Sequence, residues 1–287
     1  MTTEELIAAR RAEPWREALR KSKKNKERTD IPRVEMNELD AEYRSHTRLE
    51  EVNLGLTKEQ AMQEAQRCLD CPNPTCMQGC PVSINIPTFV KNIERGEFLE
   101  AARVLKETSA LPAVCGRVCP QEKQCESKCI HLKMGKPAVA IGYLERFAAD
   151  YERESGNISI SEVAEKNGIK IAVVGSGPAG LSFAGDMAKR GYDVTVFEAL
   201  HEIGGVLKYG IPEFRLPNKI VDVEIEGLRK MGVKFMTNCI VGKTISYDDL
   251  HADGFKGIFA ASGAGLPNFM NIPGENLVGV MSSNEYL

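Results

Sequence analysis

Eight of the nine cysteines in this sequence lie between Cys68 and Cys129, and this clustering restricts the fold more than any other feature. Closely spaced thiolates wrap compact soft metal centres, whereas disulfide frameworks are typical of small secreted chains. Two sets of cysteines predict two metal centres. Cys239 stands apart, and we expect it to be a small buried side chain. The two sets read Cys68-x2-Cys71-x4-Cys76-x3-Cys80-Pro81 and Cys115-x3-Cys119-Pro120-x4-Cys125-x3-Cys129.

The spacing within these sets favours iron–sulfur clusters over structural zinc. Zinc ribbons normally present two Cys-x2-Cys pairs, whereas here only Cys68 and Cys71 have that spacing. A cysteine followed by proline, as at Cys80 and Cys119, is also found in ferredoxin sequences. A simple partition gives each set its own cluster, but ferredoxin-like sequences often bind the neighbouring cluster with their last cysteine. The spacing alone therefore leaves the pairing of cysteines with clusters open.

The segments around the cysteines have helical patterns. Thr57 and Gln60 have the spacing of a capping box, which predicts a helix running directly into the first cysteine. Pro87 suits the first turn of another helix, and Gly96 is placed to end it. A further helix is predicted to open at Pro137, over PAVAIGYLERFAADYERE. Most of the cysteines therefore fall in loops between helices.

These helices predict an all-α, helical ferredoxin-like domain over residues 41–155, which holds both clusters. Before it, residues 1–40 are charged and poor in large apolar side chains. The run RKSKKNKERTD in that stretch predicts a flexible, solvated segment. The fold class is thus multi-domain, with the iron–sulfur domain at the N-terminal end.

Composition and charge exclude several other classes of protein. The net charge of −3 argues against general nucleic-acid binding, which usually needs a strongly basic face. No apolar run approaches the roughly 18–20 residues that span a bilayer, and no signal-peptide pattern is present. We therefore expect a cytoplasmic protein that binds neither membrane nor nucleic acid.

The second half of the chain has the pattern of a dinucleotide-binding domain. Gly175-x-Gly177-x-x-Gly180 directly follows the short apolar strand IKIAVV and opens a helix. In such a turn the first glycine permits the bend, the second lets a pyrophosphate approach, and the third permits close helix–strand packing. Glu198 ends the next strand, where an acidic side chain binds ribose hydroxyls and repels a 2′-phosphate. The pattern predicts an FAD or NAD site in a Rossmann-like domain over residues 168–287, after a polar linker.

The cysteine-rich segments resemble those of a known family. RCLDCPNPTCMQGCPVSINIP, LPAVCGRVCPQEKQCESKC and PAVAIGYLERFAADY are similar to the small (beta) subunit of glutamate synthase. They are more similar still to the large subunit of NADH-dependent ferredoxin:NADP oxidoreductase, and more distantly to the iron–sulfur domain of dihydropyrimidine dehydrogenase. The resemblance covers about residues 45–287.

This resemblance implies two [4Fe–4S] clusters with crossed ligands. It would leave Cys115 as a spare thiol, and it matches Glu145 to a non-cysteine ligand. A carboxylate is a harder donor than a thiolate and would alter the potential of its cluster. The implied ligands are Cys68, Cys71, Cys76 and Cys129 for one cluster, and Cys80, Cys119, Cys125 and Glu145 for the other.

The resemblance also implies FAD in the Rossmann-like domain. The stretch from Gly175 to LKYGIPEFRLP matches the flavin segment of the family, and the turn ASGAG (261–265) matches another flavin-contacting turn. The family continues into a second Rossmann domain for NADPH or NADH, so we expect this chain to be a truncated N-terminal portion with an incomplete FAD domain. The implied cofactor-binding residues are Gly175, Gly177, Pro178, Ala179, Gly180, Glu198, Gly204 and Gly205.

The expected function is electron transfer from NAD(P)H through FAD to the two clusters and on to an electron-acceptor protein. In the glutamate synthase type the acceptor is the large subunit, and in the bifurcating oxidoreductase it is ferredoxin and a smaller flavoprotein subunit. Such chemistry needs no catalytic acid, base or nucleophile from the chain. Two alternatives remain open: a docking and electron-transfer module without flavin, and a zinc-stabilised NAD-binding protein.

Overall fold

The computed structural model describes residues 3–286, which form two compact units. The first unit contains the chain up to Thr47 together with Glu51–Ser161, and the second contains Arg48–Glu50 and the chain from Glu162 onward. Each unit has its own buried apolar core. Within the described residues, no helix has both the length and the apolar character needed to cross a membrane.

The first unit is built from short helices and one small strand pair, β1 with β2. Two 3₁₀ turns, Gln121–Lys123 and Glu126–Lys128, separate the last three cysteines. The elements are α1 (Thr3–Arg11), α2 (Pro14–Ser22), α3 (Asn25–Asp30), β1 (Asn37–Glu38), α4 (Ala41–Ser45), β2 (Asn53–Gly55), α5 (Lys58–Gln66), α6 (Thr75–Gln78), α7 (Ile86–Glu94), α8 (Phe98–Lys106), α9 (Pro112–Val118), α10 (Ile130–Lys133) and α11 (Ile141–Ser155).

The helix signals in the sequence are present in the structure. Thr57 caps α5: its hydroxyl accepts from the Gln60 N–H at 3.2 Å, and the Gln60 side chain accepts from the Thr57 N–H at 2.9 Å. Pro87 lies in the first turn of α7. Gly96 follows α7 with a φ of +84°, a left-handed conformation that glycine adopts without strain.

The core of the first unit lies between α5, α7, α8 and α11. Phe89, Leu105 and Leu144 are fully buried there, and Phe98 meets the edge of Phe147 at 5.0 Å between ring centroids. Burial of such side chains is the main source of stability for helices this short. Several cysteine side chains pack against the same core, namely Cys68, Cys76, Cys80, Cys125 and Cys129.

One helix begins later than its sequence indicates. The sequence predicts a helix opening at Pro137, but residues 137–140 are not helical and α11 begins at Ile141. Two side chains from α5 and its C-terminal end bond to the backbone of this stretch. Arg67 donates to the Pro137 and Ala138 carbonyls, at 2.5 and 2.8 Å, and the Ala140 N–H donates to Glu64.

The N-terminal segment also differs from the expectation. The sequence predicts flexible, solvated chain over residues 1–40, whereas the structure has helices α1–α3 in this stretch and buries Arg16 and Arg28 at 0% and 1% exposure. These guanidinium groups are buried because each pairs with a buried carboxylate, Asp70 or Glu94. A sequence window rich in Lys and Arg contains no sign of partners so distant along the chain.

The second unit is a parallel α/β structure. Its sheet has the strand order β5-β4-β3-β6, and every neighbouring pair is parallel. The order reverses beside β3, where ligands of open α/β sheets bind. The elements are β3 (Lys170–Val174), α12 (Pro178–Lys189), β4 (Asp193–Phe197), α13 (Val206–Tyr209), α14 (Asn218–Lys230), β5 (Lys234–Met236), α15 (Tyr247–Ala252), β6 (Phe255–Ala260) and α16 (Ser283–Tyr286).

Candidate cluster and dinucleotide sites

Four cysteines line one pocket in the first unit. Cys68 follows α5, Cys71 lies in the next loop, Cys76 lies in α6, and Cys129 directly precedes α10. Apolar side chains of α7 and α11 complete the wall of this pocket. Cys129 reaches this pocket because α6 and the chain before α10 are bonded together: the Thr75 hydroxyl donates to the Lys128 carbonyl at 2.6 Å.

This grouping bears on the two pairings considered from the sequence. The simple partition puts Cys80 with the first three cysteines, whereas the crossed arrangement puts Cys129 there. The pocket contains Cys129, and Cys80 is not among the residues that line it. The geometry therefore brings together the four cysteines of the crossed arrangement.

The remaining implied ligands form a second group around Cys125. Gly79, next to Cys80, packs on the backbone of Gln124, where an added Cβ would lie 2.6 Å from the carbonyl oxygen. Gly116 in α9 packs equally closely on α11, since its Cβ would lie 2.5 Å from the Arg146 nitrogen. These approaches bring the segments with Cys80, Cys119, Cys125 and Glu145 together. Glu145, on α11, is buried at 5% exposure.

Electrostatic interactions within the second group are consistent with that proximity. Burial, together with the nearby charges of Glu145 and Cys80, raises the pKa of Cys119 to about 11. Burial also raises the pKa of Cys125, with contributions from Glu126, Glu145 and Cys80. A carboxylate and thiolates so close together repel one another unless a cation lies between them.

Three cysteines of the first pocket, Cys68, Cys71 and Cys76, have environments that favour the neutral thiol when no metal is bound. Burial is the main cause that raises the pKa of Cys68 to about 11, and it raises the pKa of Cys71 and Cys76 as well. A bound metal has the opposite effect on the pKa of its thiol ligands, because it deprotonates them and stabilises them as thiolates. Apolar walls and convergent thiols thus fit a metal centre better than they fit a set of free thiolates.

Zinc sites and iron–sulfur clusters differ in how far apart their donors lie. Among residues 3–286, no three Cys, His, Asp or Glu side chains are close enough to hold one metal ion together. Structural zinc needs four donors around one atom, at about 2.0–2.3 Å. A four-iron cluster takes its four protein ligands at four different irons, so its donors surround a wider space.

Cys115, the spare thiol of the crossed arrangement, lies near the second group. It occupies α9 one turn before Cys119, and the two residues are joined by the helical hydrogen bond from the Cys119 N–H to the Cys115 carbonyl at 3.1 Å. Its position leaves both Cys115 and Glu145 available as the eighth ligand.

Two polar residues at the first pocket were not singled out from the sequence. His131 lines the pocket at 1% exposure, with Nε2 3.0 Å from the Arg67 carbonyl oxygen, and burial lowers its pKa. Asp70 lies between Cys68 and Cys71 with a positive φ of +50°. The only sequence signal for either residue is its position beside a cysteine.

The three fingerprint glycines of the second unit have different surroundings. An added Cβ on Gly175, whose φ is +100°, would lie 2.3 Å from the Ala261 carbonyl oxygen. One on Gly180 would lie 2.0 Å from the Gly175 carbonyl oxygen, whereas one on Gly177 would meet nothing within 4 Å. The structure itself therefore requires the first and third glycines, while the second borders open space at the start of α12.

That space is a cleft at the carboxyl ends of the strands, with an open volume of about 1860 Å³. Pro178 and Ala179 form its floor as the first residues of α12, a helix whose N-terminal N–H groups can bind phosphate. The predicted turn at 261–265 forms another wall. The twelve residues of α12 give this helix end a substantial dipole.

Glu198 is held rigidly at the edge of the cleft. Its carboxylate accepts from the Ser176 N–H at 2.8 Å, from the Ser176 hydroxyl at 2.5 Å and from the Leu200 N–H at 2.9 Å. The Ser176 hydroxyl in turn accepts from the Gly204 N–H at 3.0 Å. Ser176 was not singled out from the sequence, although it lies between two fingerprint glycines. Its bonds join the fingerprint turn to the acid and to the Gly204–Gly205 pair.

The Gly204–Gly205 pair packs against the fingerprint turn. Both residues have positive φ angles, +136° and +54°, and an added Cβ on Gly205 would lie 2.8 Å from the Gly177 Cα. Gly205 also lines the cleft. Only glycines allow two backbones to approach this closely. Gly205 thereby lies in the same cleft as Gly175, Gly177, Pro178, Ala179 and Glu198.

Two protein families match this chain, one in each of its two halves. Residues 44–157 match the family described as dihydropyrimidine dehydrogenase domain II, 4Fe-4S cluster, and residues 173–231 match the NAD(P)-binding Rossmann-like domain. The chain therefore consists of an iron–sulfur domain followed by a Rossmann-like domain, as the sequence predicts at this level.

Three curated relatives are similar over most of this chain. The NAD-dependent dihydropyrimidine dehydrogenase subunit PreT of Escherichia coli O157:H7 is 39% identical over 77% of this chain and 54% of its own length. The glutamate synthase [NADPH] small chain of Escherichia coli strain K12 is 37% identical over 79% and 48%. The protein UacF of the same strain is 36% identical over 84% of this chain and 38% of its own length. The chain thus spans about half, or less, of the length of these relatives.

Proposed function

This chain belongs to the family of iron–sulfur oxidoreductase subunits that includes the glutamate synthase small chain and PreT, and we propose that it carries electrons from NAD(P)H through FAD to two [4Fe–4S] clusters and on to a partner subunit. The observation that carries the proposal is the pocket shared by Cys68, Cys71, Cys76 and Cys129. Four thiols converge there from distant parts of the chain, and a dinucleotide cleft lies on the same polypeptide.

The two cysteine groups bind the clusters in this proposal. Cys68, Cys71, Cys76 and Cys129 hold the first, and Cys80, Cys119, Cys125 and Glu145 hold the second. Bound flavin and clusters together convert a two-electron hydride donor into a source of single electrons. The apolar walls of the first pocket exclude water from the cluster, which is one of the factors that set its potential.

The dinucleotide cleft has the features expected for FAD. Gly177 leaves room for a pyrophosphate at the start of α12, and Glu198 is oriented to accept from ribose hydroxyls. A carboxylate in that position repels a 2′-phosphate, so NADP is disfavoured here. The match of residues 173–231 to an NAD(P)-binding family makes NAD the alternative occupant of the cleft.

The partner is proposed from the relatives. PreT and the glutamate synthase small chain are named as a subunit and a small chain, which implies that each acts with another polypeptide. An acceptor of the glutamate synthase large-subunit type is our first proposal. Ferredoxin with a smaller flavoprotein subunit, the bifurcating type, is the second.

Metal and flavin analysis of protein purified without oxygen tests the proposal. We expect roughly eight iron and eight acid-labile sulfide per chain, as two four-iron clusters require. Cys129→Ser should reduce the iron content toward half by removing a ligand of one cluster. Cys239→Ser, which alters a buried cysteine of the second unit, should leave the iron content unchanged.

The same preparation distinguishes the alternatives. Added FAD should bind in a ratio of one per chain, and NAD should compete poorly with it. Clusters without any flavin binding would favour a docking and electron-transfer module. Zinc without labile sulfide would contradict the electron-transfer function altogether.

A further inference from the structure

Asp70, in the middle of the Cys68–Cys71 segment, has an unusual conformation. Its φ of +50° lies in the left-handed region, which few residues other than glycine adopt, although aspartate and asparagine are the most tolerant. Its side chain is fully buried at 0% exposure. A buried carboxylate on a left-handed backbone persists only when its surroundings hold it in place.

The N-terminal helices provide these surroundings. Arg16 of α2 places Nε at 3.0 Å from both Asp70 carboxylate oxygens and Nη2 at 2.5 Å from Oδ1. Arg20, also on α2, donates to Oδ2 at 2.6 Å, and Arg11 of α1 donates from Nε to the Asp70 carbonyl at 2.9 Å. Arg16 also donates to the Thr88 hydroxyl on α7 at 2.8 Å. The Cys68–Cys71 segment is thus bonded at its centre to α1 and α2.

A second group of charges holds the other end of the segment. Glu94 pairs with Arg28 of α3 at 2.8 Å and with Lys91 of α7 at 2.5 Å. Lys91 also donates to the Cys68 carbonyl at 2.6 Å, and Arg28 donates to the Gln66 carbonyl at 2.6 Å. Both cations are almost completely buried, at 0% and 1% exposure.

Each of these groups has an excess of positive charge. Asp70 faces two guanidinium groups, Arg16 and Arg20, while Glu94 faces Arg28 and Lys91. A cluster with four thiolate ligands is anionic, and reduction makes it more so. Buried positive charge stabilises the reduced state more than the oxidised state and so raises the reduction potential.

We propose that helices α1–α3 position and charge-balance the first cluster, with Arg16, Arg20, Arg28 and Asp70 as positioning residues. This inference rests on the proposed function, since it takes Cys68, Cys71, Cys76 and Cys129 as the ligands of one cluster. These helices precede the residues that match the iron–sulfur family, which begin at 44. The cluster-binding unit therefore begins some distance before the segment that the family describes.

The effect should be selective for the first cluster. Near the second group, Glu126 pairs with Arg33 at 2.8 Å, and Arg33 lies beyond α3. Glu145 adds negative charge on that side. Changes in α2 should therefore shift the potential of the first cluster and leave that of the second unchanged.

Redox titration of the anaerobically purified chain, followed by electron paramagnetic resonance, tests the proposal. Cys119→Ser identifies the signal of the second cluster, because Cys119 belongs to that cluster under either pairing. Arg16→Gln should shift the first cluster to lower potential and accelerate its loss of iron to a chelator. Arg16→Lys retains the charge but not the forked bonds, so we expect a potential near wild type with faster iron loss.

Asp70→Asn should shift the potential of the first cluster in the opposite direction to Arg16→Gln. Asparagine tolerates the left-handed backbone, but the change removes a negative charge and should raise the potential of the first cluster. Lys106→Gln is the control, because it removes a part-buried ion pair with Glu152 between α8 and α11, at positions outside both cysteine sets. If Arg16→Gln does not fold, Arg20→Gln, at a side chain that is 20% exposed, replaces it with the same expected sign.

The outcomes separate this inference from the function on which it rests. A wild-type chain without two clusters would contradict the proposed function. Two clusters whose potentials do not respond to the variants at Arg16, Arg20 and Asp70, or respond equally in both clusters, would overturn only the inference. Potentials shifted in opposite directions by Arg16→Gln and Asp70→Asn, at the first cluster alone, would support it.

Discussion

Gly177 and Gly180 lie in the same turn but are glycines for different reasons. Gly177 has an ordinary φ of −66° and open space where a side chain would be, whereas a side chain on Gly180 would collide with the Gly175 carbonyl. The protein's own packing accounts for Gly180. The open space beside Gly177 fits the proposed pyrophosphate, which would approach the backbone there.

Alanine at each position should separate these reasons. Gly180→Ala should destabilise the second unit by about 1–3 kcal/mol through overpacking. Gly177→Ala should leave the melting temperature unchanged but weaken FAD binding roughly tenfold or more, because the methyl group occupies the space of the pyrophosphate. Thermal unfolding and a flavin fluorescence titration measure the two effects. Equal flavin affinity in Gly177→Ala and wild type would contradict the proposed phosphate position.

Glu145 and Cys115 compete for the role of eighth cluster ligand. We expect Cys115→Ser to retain both clusters, and Glu145→Ala to change the electron paramagnetic resonance signal and potential of one cluster. The reason is the position of Glu145, which is buried on α11 and raises the pKa of both Cys119 and Cys125. Loss of a cluster in Cys115→Ser, with none lost in Glu145→Ala, would assign the ligand to Cys115 instead.

The helix α5 connects a local sequence signal to the first cluster pocket. Its N-terminus is fixed by the capping box of Thr57 and Gln60, and its C-terminal end leads into Cys68. Thr57→Ala should cost about 1 kcal/mol, which for a unit of this size lowers the melting temperature by roughly 2–4 °C. Thr57→Ser should retain the cap and the wild-type melting temperature. Circular dichroism under anaerobic conditions measures both, and equal melting of all three proteins would contradict the role of the cap.

Local signals made several elements predictable from the sequence. The capping box of α5, the proline in the first turn of α7 and the strand–turn–helix around Gly175 each depend on residues a few positions apart. The cleft at the end of β3 follows from that last pattern, and so does the position of Glu198 at its edge.

The elements that were not predictable depend on distant pairing. The local sequence of helices α1–α3 predicts solvated chain, because it gives no sign of the pairing between Arg16 and Asp70, which is 54 positions away. The non-helical stretch before α11 follows from Arg67 and Glu64, which are also distant in sequence. Similarly, the spacing of the cysteines is compatible with both pairings of cysteines with clusters. The choice between them depends on close backbone contacts such as the one between Gly79 and Gln124.

The two units have separate cores, and their dependence on iron should differ. Several candidate cluster ligands pack in the core of the first unit, whereas the second core contains Ala172, Phe197 and Leu250 together with Cys239, which belongs to neither cysteine set. Removing the iron leaves buried thiols around empty space and should loosen the first unit, because metal binding contributes to folding.

Hydrogen–deuterium exchange before and after oxidative iron removal with a chelator measures this difference. We expect faster exchange in residues 66–82 and 115–131, and unchanged exchange in the strands between 170 and 260. Comparable acceleration in both units would contradict independent stability. Unchanged exchange around the cysteines would show that the first unit holds its shape without metal.

The bond between Thr75 and Lys128 spans 53 positions, and each residue directly precedes a cysteine of the first pocket. Under the proposed pairing, this separation determines the order in which the cluster ligands are synthesised on the ribosome. The first three ligands emerge early, but the site is incomplete until Cys129 has been synthesised, by which time the ligands of the second cluster down to Cys125 have also emerged. Iron delivery during translation would therefore load the two clusters close together in time, and a chain that stalls before Cys129 would expose thiols to oxidation.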